Sequence, residues 1–416
     1  MFKYVVSICV LAVTSGVFAQ KAVTLKEAEE ALQKNNLQLL AEQYNVTAAQ
    51  SVVIQAKIWE QPFVSAEINA YNPDNKQFFD AGKNGQKTLA VQQLITLGGK
   101  RKNEVAFAKT NAAIAELQFE QLVRNLKFQL AQDFYSLYFN QRKIVTLDSQ
   151  ITKLETLLTE YQVQAIKGNV ALKEVVRLQT LVLNLKETKN NFQKEVIAYQ
   201  QDLSLITGIS DEITPLVTNE EEIIGKINFL KYSKEDMMNL ATEKNPDYQS
   251  IVKISESQDL YLKWQKSLSV PDITPGLSYD QRGGAFNNQI NLTLGIPLPL
   301  WNKNKGNIME AEARLGQTKM NADYKKKELE SSLLMAYQVW QQQQTQLSFV
   351  SNTVKTNLES VYQGFLENFQ KRNISMLEFT DFMESYNESR IQINEIRKQW
   401  IMAGLNLNYI TNTEVF

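Results

Sequence analysis

The sequence contains no histidine, and its single cysteine, Cys9, lies near the amino terminus. Histidine and cysteine supply most ligands of zinc and copper in proteins, so a site for either ion would need carboxylates and methionines instead. A single cysteine also excludes a disulfide framework. The formal net charge of −1 gives no electrostatic basis for binding nucleic acid. We therefore predict no cofactor, no metal centre and no nucleic-acid partner.

A glycine-rich phosphate-binding loop is missing as well. The aspartates and glutamates are scattered at the spacing of exposed helix surfaces, and no histidine or cysteine accompanies them as a base or nucleophile. These observations argue against an enzyme.

The apolar run near the amino terminus, Tyr4 to Val13, is too short for a membrane-spanning helix. It follows Lys3 and precedes small residues that end at Ala19, which is the pattern of a secretory signal peptide over residues 1–19. A buried amino-terminal helix is the alternative. Cleavage near Gln20 would remove the only thiol, so we expect no lipid attached through an amino-terminal cysteine.

The sequence does contain an internal repeat. Residues 167–208 open with KGNV and close with LITG, and residues 371–412 open with KRNI and close with YITN at a constant offset of 204 residues. Apolar residues recur at steps of three and four through both copies, which is typical of helices packed in coiled-coil fashion. We therefore predict a first repeat over 20–208, a linker or equatorial segment over 209–232, and a second repeat over 233–416.

Each repeat is predicted to begin with a long helix that ends before a proline. The first spans about 24–59 before Pro62, and the second about 233–269 before Pro271. Two further long helices are predicted over about 101–165 and 303–368. At 1.5 Å per residue, about 60 residues reach roughly 90 Å, which is more than a compact domain needs.

After each proline the apolar period changes from 3.6 to 2, which predicts two strands per repeat. The first copy has strands around 64–70 and 88–97, separated by a loop over 72–86, and the second has strands around 273–280 and 290–298. Strands of this length with one apolar face are typical of membrane β-barrels, although an amphipathic hairpin on a soluble core has the same alternation. The residues predicted to face lipid are Ile290, Leu292, Leu294 and Ile296.

A helix–strand–strand–helix–helix unit that occurs twice resembles the TolC-type outer-membrane efflux proteins over essentially the whole mature chain. The resemblance rests on LITG at 205–208, the turn containing Gly168, and SMLEFTD at 375–381. The segments LGGKR at 97–101 and IPLPLWN at 296–302 look like the heavy-metal cation efflux branch of that family.

The resemblance implies a mainly α fold with a β-barrel part. Four membrane strands from each subunit of a homotrimer would form one twelve-stranded barrel, and the helices would form a long coiled-coil tunnel in the periplasm. It further implies a channel in the outer membrane of a Gram-negative bacterium, extending into the periplasm. A monomer with four strands could not close a barrel, and hydrocarbon does not tolerate open strand edges.

The function implied is that of a passive exit duct in a tripartite efflux system for heavy-metal cations. The implied partners are a periplasmic adaptor (membrane fusion) protein and an inner-membrane pump of the resistance-nodulation-division type. The same channel could instead serve drugs, small molecules or type I protein secretion. A secreted structural coiled-coil protein that never enters a membrane is the second alternative.

The resemblance also assigns residues at the tunnel tip. The adaptor-binding tip comprises Lys167, Gly168, Asn169, Lys371, Arg372 and Asn373. The pore gate comprises Glu174, Glu378 and Asp381. Stacked rings of Glu378 and Asp381 in a trimer would bring six carboxylates together, and their repulsion predicts raised pKa values or cation binding. The chain departs from the family at Arg372, where the second turn usually has glycine, and this puts the shape of the tip in doubt.

Overall fold

The structure, a computed structural model, describes residues 21–283, 285–350 and 352–416. The predicted signal peptide and Cys9 lie outside this part of the chain. The described helices are α1 (Leu25–Asn35), α2 (Leu37–Ala56), α3 (Lys100–Ile166), α4 (Leu172–Thr207), α5 (Glu220–Ile227), α6 (Lys234–Lys244), α7 (Pro246–Ser267), α8 (Lys305–Phe349), α9 (Asn352–Gln370) and α10 (Met376–Thr411). The described strands are β1 (Lys21–Val23), β2 (Phe63–Ile68), β3 (Tyr71–Asn72), β4 (Gln77–Phe78), β5 (Gln86–Gln92), β6 (Ile213–Pro215), β7 (Thr274–Arg282) and β8 (Phe286–Gly295).

The main sheet and four of the helices form one continuous layer, which we call the wall. The main sheet is antiparallel in the order β2-β5-β7-β8. The helices that lead into or out of these strands pack in the matching order α2-α3-α7-α8. Each strand therefore continues into its own helix without a change of neighbours. This confirms the predicted mainly α fold, with its duplicated helix–strand–strand–helix–helix unit and four strands per subunit.

Three long helices predicted from the sequence are each broken in two. The helix predicted over 24–59 breaks at Asn36, whose side chain caps α2 by accepting from Leu39 N–H at 2.9 Å and donates to the Ile206 carbonyl at 2.9 Å. The helix predicted over 233–269 breaks in the same way at Asn245, which donates to the Ile410 carbonyl at 2.9 Å. An asparagine that caps one helix and ties it to another replaces the continuous helix, because its amide satisfies backbone groups on both.

The helix predicted over 303–368 is interrupted at Val350, where φ is −89° and ψ is 57°. The Val350 N–H bonds to the Leu347 carbonyl at 2.9 Å, which closes α8 with a tightened last turn. The loop predicted over 72–86 also needs correction, because its start and middle form the small hairpin β3–β4.

The segment between the repeats lies against the helices. Strand β6 pairs in parallel with β1, and α5 packs on α10. The indole N–H groups of Trp340 and Trp400 donate to the carbonyls of Ile227 and Ile224 at 3.1 and 3.0 Å. Arg397 forms ion pairs with Glu220 and Glu221. Segment 209–232 is therefore held to both long helices α8 and α10 by directed hydrogen bonds.

Within the described ranges, no helix has both the length and the apolar character needed to cross a membrane.

Candidate functional site

The strand register places apolar and polar residues on opposite faces of the main sheet. Directly paired residues in an antiparallel sheet point to the same face. One register row consists of Val64, Val91, Leu277 and Leu292, and another of Ala66, Leu89, Tyr279 and Ile290. The rows that alternate with these two consist of Ser65, Ala90, Ser278 and Asn291, and of Glu67, Thr88, Asp280 and Gln289. All four strands thus contribute one apolar and one polar face.

The apolar face of the sheet is not covered by any described element. Leu292 is 82% exposed and Ile290 77% exposed, and Leu294 and Ile296 are exposed as well. A sheet of a soluble protein buries its apolar face against a core, and apolar patches left open on a protein surface mark an interaction site. These four residues were predicted to face lipid, and that role remains a prediction.

The two edges of the wall are unpaired in the single chain. Strands β2 and β8 have no partner on their outer sides in the described part of the chain. The adjoining helices expose apolar side chains, among them Val52 and Tyr44 on α2 and Met309 and Tyr324 on α8. Open strand edges pair readily with another chain, so both edges are available to neighbouring copies.

The two tip turns share one backbone geometry. Asn169 N–H bonds to the Gln164 carbonyl at 2.9 Å, and Asn373 N–H bonds to the Asn368 carbonyl at 2.9 Å. Both turns close through a residue in the left-handed region, Gly168 with φ 76° and Arg372 with φ 63°. Arg372 therefore adopts a conformation that is costly for a residue with a Cβ and natural for glycine. The arginine that replaces the glycine expected from the resemblance changes the side chain at the tip, and the backbone follows the same path as in the first turn.

Glu378 has a local structural role that the sequence interpretation missed. Its carboxylate accepts from Ser375 N–H and Ser375 Oγ, both at 2.8 Å, and Ser375 Oγ accepts in turn from Glu378 N–H at 3.2 Å. This is a capping box at the start of α10, and its S-x-x-E signature was visible in the sequence. The Ser375 hydrogen bonds lower the pKa of Glu378. Within one subunit the shift is therefore opposite to the rise expected for crowded gate carboxylates.

The other two predicted gate acids lie on different helices. Glu174, in the first turn of α4, is half-buried, and residue 171 at its helix start has no side-chain cap. Burial raises the pKa of the Tyr161 hydroxyl, the charge of Glu174 raises it further, and the charge of Arg372 lowers it. The structure thus brings Glu174 and Arg372 to the same tyrosine across the two tips. Asp381, on α10, is exposed and has no ion pair in the described ranges.

Stacked aromatic rings join α9 to α10 above the second tip. Phe369 stacks on Phe379 and Phe365 on Phe382, each with ring centroids 4.0 Å apart. A cleft of about 820 Å³ lies between the tips, and Tyr161, Phe369 and Arg372 are among its lining residues. The periodic stripe predicted the helix packing, but the aromatic stacking could not be inferred from periodicity alone.

A buried acid lies higher on α3. Burial raises the pKa of Asp133 to about 6, the charge of Asp202 adds to the rise, and a hydrogen bond from Gln129 opposes it. One carboxylate oxygen of Asp133 is buried without a hydrogen-bond partner among the described residues. The ionised carboxylate is therefore unfavourable in this position.

No group of three or more histidine, cysteine, aspartate or glutamate side chains arranged to hold a metal ion was found among the residues that the structure describes.

A four-stranded sheet that continues into four helices, with two strands and two of these helices from each repeat, is the fold of the TolC-type outer-membrane efflux channels. No family model matches the sequence. The chain is 17% identical over 393 residues to the cobalt-zinc-cadmium resistance protein CzcC of Cupriavidus metallidurans, covering 93% of this chain and 90% of that protein.

Two solved structures agree with this fold across nearly their whole length. The crystal structure of CusC superposes with a TM-score of 0.76 at 15% identity, covering 93% of this chain and 91% of CusC. The Campylobacter jejuni CmeC outer membrane channel superposes with a TM-score of 0.72 at 12% identity, covering 94% of this chain and 86% of CmeC. The resemblance drawn from the sequence is confirmed at the level of the fold.

Proposed function

We propose that this protein is the outer-membrane exit duct of a tripartite efflux system, with its helices extending into the periplasm. The observation that carries the proposal is the two-faced sheet, whose apolar face is exposed on all four strands while its opposite face is polar. Lipid on the outside and water on the inside account for both faces. A passive duct needs no catalytic group, which fits a non-enzymatic protein. The duplication supports the division into repeats at 20–208 and 233–416 around the segment 209–232.

The duct is a homotrimer in this proposal. Strand β2 of one subunit pairs with β8 of the next, so three sheets of four strands close one barrel of twelve and leave no edge in hydrocarbon. The same closure places α2 against α8 of the neighbour and covers their exposed apolar side chains. A secreted coiled-coil protein has no comparable use for an exposed apolar sheet.

The tip turns are the proposed docking site of a periplasmic adaptor protein, itself bound to an inner-membrane pump of the resistance-nodulation-division type. The residues of this adaptor-binding tip are Lys167, Gly168, Asn169, Lys371, Arg372 and Asn373. All six are exposed at the ends of two helical hairpins. Their paired backbone geometry offers a partner two similar turns with different side chains.

Glu174, Glu378 and Asp381 are the proposed gate acids of the pore. Glu378 and Asp381 are three residues apart on α10 and therefore share a helix face. The Glu378 carboxylate is already ionised and oriented by Ser375, which keeps its charge fixed near the tip. Three subunits would repeat these charges around one axis and favour the passage of cations.

Heavy-metal cations are the proposed cargo. Support comes from the similarity to CzcC, which is described as a cobalt-zinc-cadmium resistance protein. The polar face of the sheet contributes Glu67 and Asp280 in one register row, which suits cations in transit. Selection of the cargo rests with the pump and adaptor in such a system. Whether a pump encoded by a neighbouring gene has metal-binding residues in its membrane helices would therefore test this cargo.

Subunit cross-linking tests the assembly. Val52 on α2 and Met309 on α8 are exposed and lie four residues from the sheet-proximal ends of their helices. In a Cys9→Ser background, the Val52→Cys/Met309→Cys protein should form oxidised dimers and trimers in outer membranes, because the two positions lie on opposite edges of one chain. Each single-cysteine protein is the control. Monomers alone, recovered in the soluble fraction without channel activity in planar bilayers, would contradict the proposed function.

A further inference from the structure

The two junctions between strand and helix differ in how their side chains are engaged. At the first junction, Lys100 Nζ lies 2.7 Å from Asp272 Oδ1, which also accepts from Leu97 N–H at 2.9 Å. The Arg101 guanidinium lies 4.2 Å above the ring of Trp59. The first two cations of α3, Lys100 and Arg101, therefore have partners within the chain, whereas the third, Lys102, is exposed.

The second junction, residues 296–305, exposes its tryptophan, leucines and lysines; we name it the junction segment. Trp301 is 93% exposed, and Leu298 and Leu300 are exposed beside it. Lys303 and Lys305 follow, both exposed and neither in an ion pair with any residue the structure describes. An apolar group and two cations are thus presented together.

The junction segment holds this exposed arrangement by hydrogen bonds to its neighbours. Asn304 adopts a left-handed conformation with φ 58°, and its amide donates to the Gln265 carbonyl at 2.8 Å and to Gln265 Oε1 at 2.9 Å. Asn304 N–H also donates to Asn302 Oδ1 at 3.0 Å. The turn that follows Trp301 is therefore tied to α7, while the Trp301 side chain itself is exposed.

The apolar face of the sheet continues into the junction segment. Leu292 and Leu294 on β8 lead to Ile296, Leu298 and Trp301 in the junction segment, and all five are exposed. The sequence of properties along this line is apolar, then aromatic, then cationic. This order matches the layers of a membrane leaflet, in which tryptophan lies at the boundary and lysine extends its ammonium group to the phosphates.

We propose that the junction segment binds phospholipids of the leaflet nearest the helices, with Trp301 at the level of the acyl ester groups and Lys303 and Lys305 at lipid phosphates. The segment would set the depth of the subunit in the membrane. The inference rests on the proposed function in that it requires the sheet to lie in a membrane. The alternative occupant is the segment that follows α2 in a neighbouring subunit, which contains the exposed Trp59.

Quenching of tryptophan fluorescence by brominated phosphatidylcholine tests the position of Trp301. Purified trimers are reconstituted in vesicles whose lipids carry bromine either near the ester groups or near the chain ends. Shallow bromine should quench wild type more than deep bromine does, and Trp301→Phe should lose most of that quenching. Trp59→Phe is the matched control, since Trp59 is held by Arg101, and it should retain the shallow quenching. Equal quenching of wild type and Trp301→Phe would overturn the inference.

Brominated phosphatidylglycerol tests the two lysines. Each lysine near a lipid surface favours anionic lipid by about 1 kcal/mol, or about fivefold in association. Lys303→Gln/Lys305→Gln should therefore reduce the preference of the Trp301 environment for phosphatidylglycerol over phosphatidylcholine by an order of magnitude, about 25-fold at most. Lys102→Gln, at an exposed lysine of the first junction, should leave the preference unchanged. An unchanged preference in the double variant would overturn the assignment of the phosphates.

A cross-linking experiment tests whether a neighbouring subunit, and not lipid, covers the junction segment. Efficient disulfide formation between Trp301→Cys and Trp59→Cys on different subunits, in a Cys9→Ser background, would show that a neighbour covers the junction segment and would overturn the inference. Conducting trimers without quenching at Trp301 would overturn this inference and leave the proposed function standing. Failure of the protein to insert into vesicles at all would overturn both.

Discussion

A lysine in place of Leu292 tests which face of the sheet meets lipid. Leu292 lies within β8, is 82% exposed, and pairs with Leu277 in an apolar register row. A lysine at mid-depth in a bilayer costs about 2–4 kcal/mol per chain, or about 6–12 kcal/mol for the three copies of a trimer. In water, the same exchange at an exposed position changes the free energy of unfolding by less than about 0.5 kcal/mol. The two environments therefore predict clearly different outcomes.

The assay measures heat-resistant trimers recovered from outer membranes, together with the free energy of folding into lipid vesicles from urea. Asn291→Lys is the matched control, because Asn291 is the preceding residue of β8 and pairs with Ser278 on the polar face. Leu292→Lys should reduce trimer yield strongly, and Asn291→Lys should assemble like wild type. Normal assembly of Leu292→Lys with loss of Asn291→Lys would show that the faces are reversed. Normal assembly of both would refute a lipid-facing sheet.

Two further predictions concern charged groups along the tunnel. Glu378→Ala/Asp381→Ala should raise single-channel conductance and reduce both cation selectivity and block by divalent ions. The control, Glu235→Ala/Glu243→Ala at exposed positions of α6, should change none of these properties. Unchanged selectivity in the first variant would place the tip acids outside the pore. Asp133 has a folded-state pKa of about 6, above its ordinary value of 3.8, so its contribution to stability is greatest below about pH 4 and is lost as the pH rises to about 6. Asp133→Asn should therefore raise the Tm by a few degrees at pH 7 and have little effect at pH 4; a lower Tm at pH 7 would contradict the unfavourable charge.

The helices and strands that depend on a local pattern could be predicted from the sequence, whereas the breaks between consecutive helices could not. The alternation of apolar and polar residues located the four strands of the main sheet, although the strand predicted around 88–97 ends at Gln92. The three–four spacing placed α3 to within a residue of its observed ends. Asn36 and Asn245 interrupt stretches that read as continuous helices, because each amide bonds to a carbonyl about 170 residues away. The apolar periodicity of one stretch gives no information about a hydrogen-bond partner so distant in the sequence.

For the predicted gate residues as well, the local structure could be predicted from the sequence and the position within an assembly could not. The spacing of Ser375 and Glu378 already contained the capping box, so the local role of Glu378 was within reach of the sequence. Whether the same carboxylate faces a pore depends on an axis shared by several subunits, and one chain does not define that axis. The resemblance supplied the pore assignment, and conductance measurements on the assembled channel are needed to test it.

The two copies of the repeat share the backbone conformation of their helix ends and turns, while the side chains at these positions differ. Gly208 and Asn412 both end their helices in the left-handed region, and Gly168 and Arg372 close equivalent tip turns. These positions carry hydrogen bonds that any copy of the unit must make, so their geometry is retained whichever residue occupies them. Side chains that do not make these hydrogen bonds are free to diverge: Trp301 is exposed at the second junction, whereas Lys100 at the first junction is paired with Asp272. In a trimer of such chains the backbone would therefore approach sixfold symmetry, whereas the side chains at the tip and at the membrane boundary would have only threefold symmetry.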